Sequence, residues 1–371
     1  MKQLIKYAAL LFALVLSASI IGGCLTAGVA VVKMIVDKTG GNTDSDRNND
    51  GNDLWYRDEN GNVVFLGLHF GKSSGEVKSG SEQFAVSDID SMDVEVGSCE
   101  LVVDVWENDY ISVDYENIPV EYEIYEEDET LVIEKKDNIN FVWNTSFNEK
   151  RIIRISVPVS VVFDRIDVDK GSGSAKLIGL STEEIFVDNG SGGVGISDVV
   201  TKKLHVDSGS GGVNISNTSA ERSVFYSGSG SFIVQECKLG ETAMDSGSGF
   251  VNLENVIAKN LVLEAGSGRV DVSGILTGNC MFESGSGSVN VVVYGKEEDY
   301  SIRTDMGSGS FYLNGRKEEK DYDRSDKRAQ YLLVFDAGSG RVSLDFDESK
   351  AESVSTVLDA PQTQNGENYE R

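Results

Sequence analysis

Eight of the nine Gly-Ser-Gly tripeptides in this chain carry an acid two residues before their first glycine: Asp169, Asp188, Asp207, Asp245, Glu264, Glu283, Asp305 and Asp336. Tyr226 is the exception. Carboxylates stacked at a constant spacing repel, so something must satisfy or neutralise them. One reading has each accept hydrogen bonds from the backbone N–H groups of its own turn. The other makes Asp188, Asp207, Asp245, Glu264 and Glu283 a row of weak Ca2+ sites, although one acid per repeat is short of the about six to eight oxygens that ion takes. No other cofactor is implied. The two histidines, His69 and His205, and the four cysteines, Cys24, Cys99, Cys237 and Cys280, form no CxxC and no paired His/Cys spacing. That argues against zinc and against a disulfide framework, and the cysteines read as small buried apolar residues. His205 is expected to point outward from a strand.

No nucleophile elbow or Walker loop is present, and Arg269 beside Asp271 is the only basic and acidic pair on its face. The acids and bases that β-helix polysaccharide enzymes gather in one groove are therefore missing, and no catalytic residues are expected. Asn214, Asn252 and Asn290 read as outward amide ladders.

The elements that hold the acids follow from the spacing. The tripeptide starts at 171, 190, 209, 228, 247, 266 and 285, a constant period, and again at 307 and 338. A short fixed period marks a solenoid whose repeats are each too small to bury their own apolar face. Four and six residues past the first glycine stand apolar columns such as Val194, Val213, Phe232 and Val251, and Ile196, Ile215, Val234 and Leu253. Five and three residues before it stand Ile185 and Val187, then Leu204 and Val206. Position nine adds Leu180, Val199, Cys237, Val256 and Ile275. Strand side chains alternate between faces, so these columns stack into one core at about 4.8 Å per rung. The glycines are expected to supply positive φ and to clear space for stacking. The expected fold class is all-β, a parallel β-solenoid (β-helix) with 19-residue rungs, preceded by one N-terminal transmembrane helix.

Five segments are expected. Residues 1–36 are a membrane anchor, uncharged from Tyr7 to Val32 and long enough to span a bilayer. Ile21-Gly-Gly-Cys24 also fits a lipoprotein signal with lipidation at Cys24. Either reading puts the bulk of the chain on the extracytoplasmic face of the cell membrane. Residues 37–53 are a polar linker, 54–170 irregular early rungs, 171–347 the regular solenoid with a charged surface loop at 315–330, and 348–371 a disordered polar tail whose charges blunt the last rung's edge.

With 61 acids against 33 bases the net charge is −28, which argues against nucleic-acid binding. The Ile155-Ser-Val-Pro158 segment followed by repeated Gly-Ser-Gly-x-Val-x-Ile turns resembles the adhesin-type β-solenoid domain of bacterial cell-envelope proteins, over roughly 85–347. That resemblance implies a domain of uncharacterised biochemical activity and no catalytic residues. The expected function is a non-enzymatic, membrane-anchored binding or structural protein with a surface glycan, wall polymer or protein as ligand. The alternative is an envelope-stress sensor or regulator acting through membrane partners.

Overall fold

A computed structural model describes residues 55–57, 63–65, 68–70, 76–136 and 150–359. The chain divides into two compact units, Met1–Tyr56 and Arg57–Arg371, and the architecture below is that of the second. In it Val63–Phe65 and Leu68–Phe70 pair antiparallel, and the strands from Val77 onward form one solenoid-like sheet.

One rung shows how sequence becomes wall. Strand Ser181–Asn189 runs into the turn at Gly190, strand Val194–Ser197 leaves it, and Asp198 turns the chain with φ 57°. Thr182, Ile185, Val187, Asn189, Val194 and Ile196 point inward and are buried. The consecutive outward residues Glu183 and Glu184 interrupt the alternation and mark a corner inside the strand. Thr182 closes that corner, its hydroxyl donating to the Glu184 carbonyl at 3.0 Å.

Rungs then stack in parallel: Ile185 lies against Leu204, Val187 against Val206 and Val194 against Val213. Each fully buried Val, Leu or Ile contributes roughly 1.5–3 kcal/mol, and these columns are buried from Met92 to Leu344. Strands 130–135, 91–95, 162–170 and on to 300–306 make eleven parallel layers in one wall. At about 4.8 Å per layer the wall is roughly 48 Å long.

The turn glycines correct half of the expectation placed on them. None adopts positive φ; the left-handed corner positions are Gly179, Asp198, Asn217, Glu236 and Asn255, a column one repeat apart with φ between 54° and 74°. The turn glycines are needed for space alone. A Cβ on Gly192 would sit 1.6 Å from the Gly173 carbonyl oxygen, and one on Gly211 1.8 Å from that of Gly192.

Both ends depart from sequential stacking. The rung of strands Ser91–Glu95 and Glu100–Trp106 lies between that of Thr130–Lys135 with Ile152–Pro158 and that of Val162–Lys170 with Ala175–Ile178. At the other end, Tyr331–Ala337 and Arg341–Phe346 insert between the rung ending at Val293 and the rung of Tyr300–Met306 with Ser310–Leu313. Antiparallel strands cover the two outermost rungs. Val77–Ala85, Tyr110–Pro119 and Tyr122–Glu127 cover the first, and Arg316–Lys317 and Asp323–Arg324 cover the last. The charged 315–330 segment is thus an end cap as well as a surface loop, and it takes over the edge-protecting role expected of the tail.

Three further expectations are corrected. Of the tail expected to be disordered at 348–371, the described part forms a turn at Glu348–Lys350 and a helix, Ala351–Asp359, and 360–371 lie outside the described residues. Ala351 and Val354 share one helical face and pack with Tyr294, Ile257, Ile275 and Val292, which gives this polar segment something to bury. A register shift between Leu253 and Val256 moves Ile275 out of the core to that helix-facing position and puts Leu276 inside. The single-pass membrane location is corrected as well: among the described residues no helix is long and apolar enough to cross a membrane. The expected anchor at 1–36, with Cys24, and the linker at 37–53 lie outside the described residues.

Candidate functional site

Register turns the acids into one ladder along the rod. In spatial order it runs Glu95, Asp169, Asp188, Asp207, Tyr226, Asp245, Glu264, Glu283, Asp336 and Asp305. The end-swap places Asp336 before Asp305, an order that the sequence does not show. Glu283 is half-buried and the acids from Asp169 to Asp305 are otherwise exposed.

The turns donate nothing to these carboxylates. Their N–H groups reach the neighbouring rung instead: Gly190 N–H donates to the Lys170 carbonyl at 2.8 Å, Ser191 to Gly171 at 2.9 Å and Gly209 to Asn189 at 2.9 Å. Among the described residues no ladder acid from Asp169 to Asp305 accepts a hydrogen bond or joins an ion pair, so the capped-carboxylate expectation fails. The reason is stacking, which spends the first two N–H groups of each turn along the axis. Like charges therefore face each other across single strand spacings, an arrangement that costs stability. In the neighbouring column the Asp93 carboxyl is held above its usual range, first by burial and then by the charges of Asp167 and Glu134.

No three His, Cys, Asp or Glu side chains group to hold a metal among the described residues. Asp188, Asp207, Asp245, Glu264 and Glu283 are brought into line, one per rung, with Tyr226 dividing Asp207 from Asp245. Tyr226 tilts against His205 at 5.6 Å between ring centroids, and His205 stacks on Phe186 at 5.4 Å. Arg165 lies 4.1 Å over the Phe186 ring. His205 is thus outward, in an aromatic row.

Immediately inside the ladder, the residue before each turn is often polar and buried, a column that the sequence reading passed over. Asn189 donates to the Gly192 carbonyl at 2.8 Å and to the Ser208 hydroxyl at 3.0 Å. Lys170 is 1% exposed and donates to the Cys99 carbonyl at 2.6 Å. Burial pushes its pKa down to about 8. Cys99, Cys237 and Cys280 are free and buried, and burial pushes the last two thiols up to about 12 and about 11, which suppresses thiolate chemistry.

The outward amides do not form a ladder. Ile233 separates Asn214 from Asn252, and Asp271 separates Asn252 from Asn290. Asn290 instead donates to Asp271 at 2.7 Å. Across the turn ridge from the acids lies a groove with Arg269, Arg341, Lys317 and Lys320 on its walls. Sequence reading took Arg269 only with Asp271; the basic letters of 315–330 were the available signal for the rest.

Residues 89–344 match the Toastrack DUF4097 family, and no curated protein matches the chain. Similar solved structures include a candidate cell adhesion protein from Clostridium sporogenes, at 15% identity over 73% of this chain and 100% of that one, with TM-score 0.25. A candidate lipid-binding protein from Parabacteroides distasonis has 17% identity over 74% and 99%, TM-score 0.49. A candidate adhesin from the same organism has 15% over 73% and 98%, TM-score 0.47.

Proposed function

The chain belongs to the Toastrack DUF4097 family, and on that premise we propose that it is a non-enzymatic, adhesin-like binding or structural protein whose ligand is an extended polymer or a protein surface. The observation that carries this reading is the ladder: outward side chains repeat at every rung, and among the described residues its acids from Asp169 to Asp305 accept no hydrogen bond and join no ion pair. Such a surface suits a ligand that repeats too, because each added unit meets another rung and the contacts gain avidity. The test is to screen the immobilised full chain against glycans, wall polymers and proteins. A repeating polymer should be retained far more strongly than its monomer or short oligomers. Equal affinity for monomer and polymer, or no retained ligand at all, overturns the reading.

The ladder is also proposed as a row of weak Ca2+ positions at Asp188, Asp207, Asp245, Glu264 and Glu283. Unpartnered carboxylates one strand spacing apart, on either side of the break at Tyr226, supply oxygens that a cation could share, with water completing its shell. Melting the protein with Ca2+ and with chelator tests this, and an unchanged midpoint removes it.

A further inference from the structure

The face across the turn ridge from the acids has opposite chemistry. Its side chains come from the third residue after each turn's first glycine, and the pairing register sets them in a row: Ser231, Phe250, Arg269, Ser288, Arg341 and Ser310. Lys317 and Lys320 of the end cap close the groove at the far end. No Asp or Glu among the described residues lines it, although the chain has 61 acids to 33 bases.

Most of the cations here are also free of carboxylates. On other faces Lys202 pairs with Glu183, Lys203 with Glu184, and Arg222 with Glu241. In the groove only Arg269 has a carboxylate, Asp271, at 2.8 Å. Arg341 lies 4.0 Å over the Tyr312 ring, Lys320 donates to the Gly307 carbonyl at 2.8 Å, and Lys317 has no partner among the described residues. Exposed cations left unpaired in so acidic a chain are the complement of an anionic ligand.

Spacing selects the kind of anion. Arg269 and Arg341 stand on alternate rungs, with Ser288 between them, so their backbones are about 9.6 Å apart. Duplex nucleic acid carries a charge about every 1.7 Å, and the ladder behind the ridge would repel so dense a polyanion. A chain with one charge for every two rungs fits, with neutral hydroxyl-bearing units between. Serine hydroxyls alternate with the cations, and the Phe250 ring is 37% exposed, offering an apolar face to a sugar ring. A pyranose is about as long as one rung is high. We propose that this groove binds a linear polysaccharide with a carboxylate on every second sugar, laid along the solenoid axis. The proposal rests on the binding reading above and names its ligand class and surface.

The probe is hyaluronate, whose carboxylates alternate with neutral sugars, with neutral dextran and inorganic polyphosphate as comparisons. The immobilised full chain should retain hyaluronate and not dextran, with affinity falling as salt rises. Substituting Arg269→Gln, Arg341→Gln, Lys317→Gln and Lys320→Gln together should weaken binding at least about tenfold, since exposed ion pairs are each worth a factor of roughly two to five. Lys202→Gln, Lys203→Gln, Arg222→Gln and Arg165→Gln together remove equal charge elsewhere and should leave binding within about threefold of the unaltered chain, by the same reasoning. Equal loss in both variants, or polyphosphate binding as tightly as hyaluronate, overturns the proposal. Retention of some other glycan, unaffected by the groove substitutions, overturns the groove and leaves the binding reading standing. Retention of nothing overturns both. Matching circular dichroism and melting midpoints check that the variants are folded.

Discussion

Two neighbouring glycines should respond oppositely to one added methyl group. A Cβ on Gly192 would lie 1.6 Å from the Gly173 carbonyl oxygen and 2.8 Å from its carbon, whereas one on Gly193 meets nothing nearer than the Gly212 oxygen at 3.9 Å. Neither residue has positive φ. To reach even a 3.0 Å contact in Gly192→Ala, the rungs must separate locally by about 1.4 Å. The bonds resisting that movement include Ser191 N–H to the Gly171 carbonyl at 2.9 Å and Ala175 N–H to the Gly193 carbonyl at 2.8 Å. Losing two such bonds costs about 1–3 kcal/mol, and overpacking adds about 1–3 kcal/mol. Gly192→Ala should therefore destabilise by about 2–6 kcal/mol. Gly193→Ala should be neutral or stabilise by up to about 1 kcal/mol through the unfolded chain. Urea titration followed by circular dichroism measures both. Gly192→Asn adds a second decision: if the turn needed positive φ, Asn would be a tolerated replacement, whereas a space requirement makes it as damaging as Ala. The reasoning is refuted if Gly192→Ala lies within about 0.5 kcal/mol of the unaltered chain, or if the Asn variant is much the milder of the two.

Ser223 is fully buried and its hydroxyl has no partner among the described residues, so Ser223→Ala should raise stability by about 1 kcal/mol, read as a higher urea midpoint; a lower midpoint refutes it. Glu264 faces Asp245 and Glu283 across single rungs. In chelator and low salt, Glu264→Gln should stabilise by a few tenths of a kcal/mol, a gain that high salt erases; with Ca2+ bound along the ladder, the sign reverses. Lys170 has a folded pKa of about 8, below the ordinary lysine value, so above pH 8 the unfolded chain holds the proton that the folded chain has lost. Stability relative to Lys170→Met should be flat below about pH 8 and rise from there towards the ordinary lysine pKa. A difference that stays flat across that window refutes the buried-amine account.

How much the sequence shows depends on whether a property is local. The Val194–Val213 and Ile185–Leu204 columns are legible because a fixed period keeps each residue beneath its like. The Asp198–Asn217–Asn255 corner was legible in principle, since Asn and Asp are the side chains that best tolerate left-handed φ, but a mixed Gly/Asp/Glu/Asn column draws less attention than Gly-Ser-Gly. Which rung neighbours which at the ends was not legible. Pairing Leu333 with Cys280 and with Ile302 is a long-range choice that all the apolar columns satisfy equally well in sequential order. The basic groove depended on that choice, because Arg341 follows Arg269 by two rungs only once the last strands have inserted.

The inserted end rungs also bear on how such a rod can change size. At each end the chain passes outward, doubles back as a lid and returns to a seat beneath it, so the terminal layers are interlocked and cannot be trimmed one at a time. Between them each rung meets only its neighbours, in the same register above and below. Gene duplication or loss of a single internal repeat would therefore lengthen or shorten the rod from its middle and carry both lids along unchanged. Reach becomes an adjustable property, separate from the devices that keep the ends from joining other sheets.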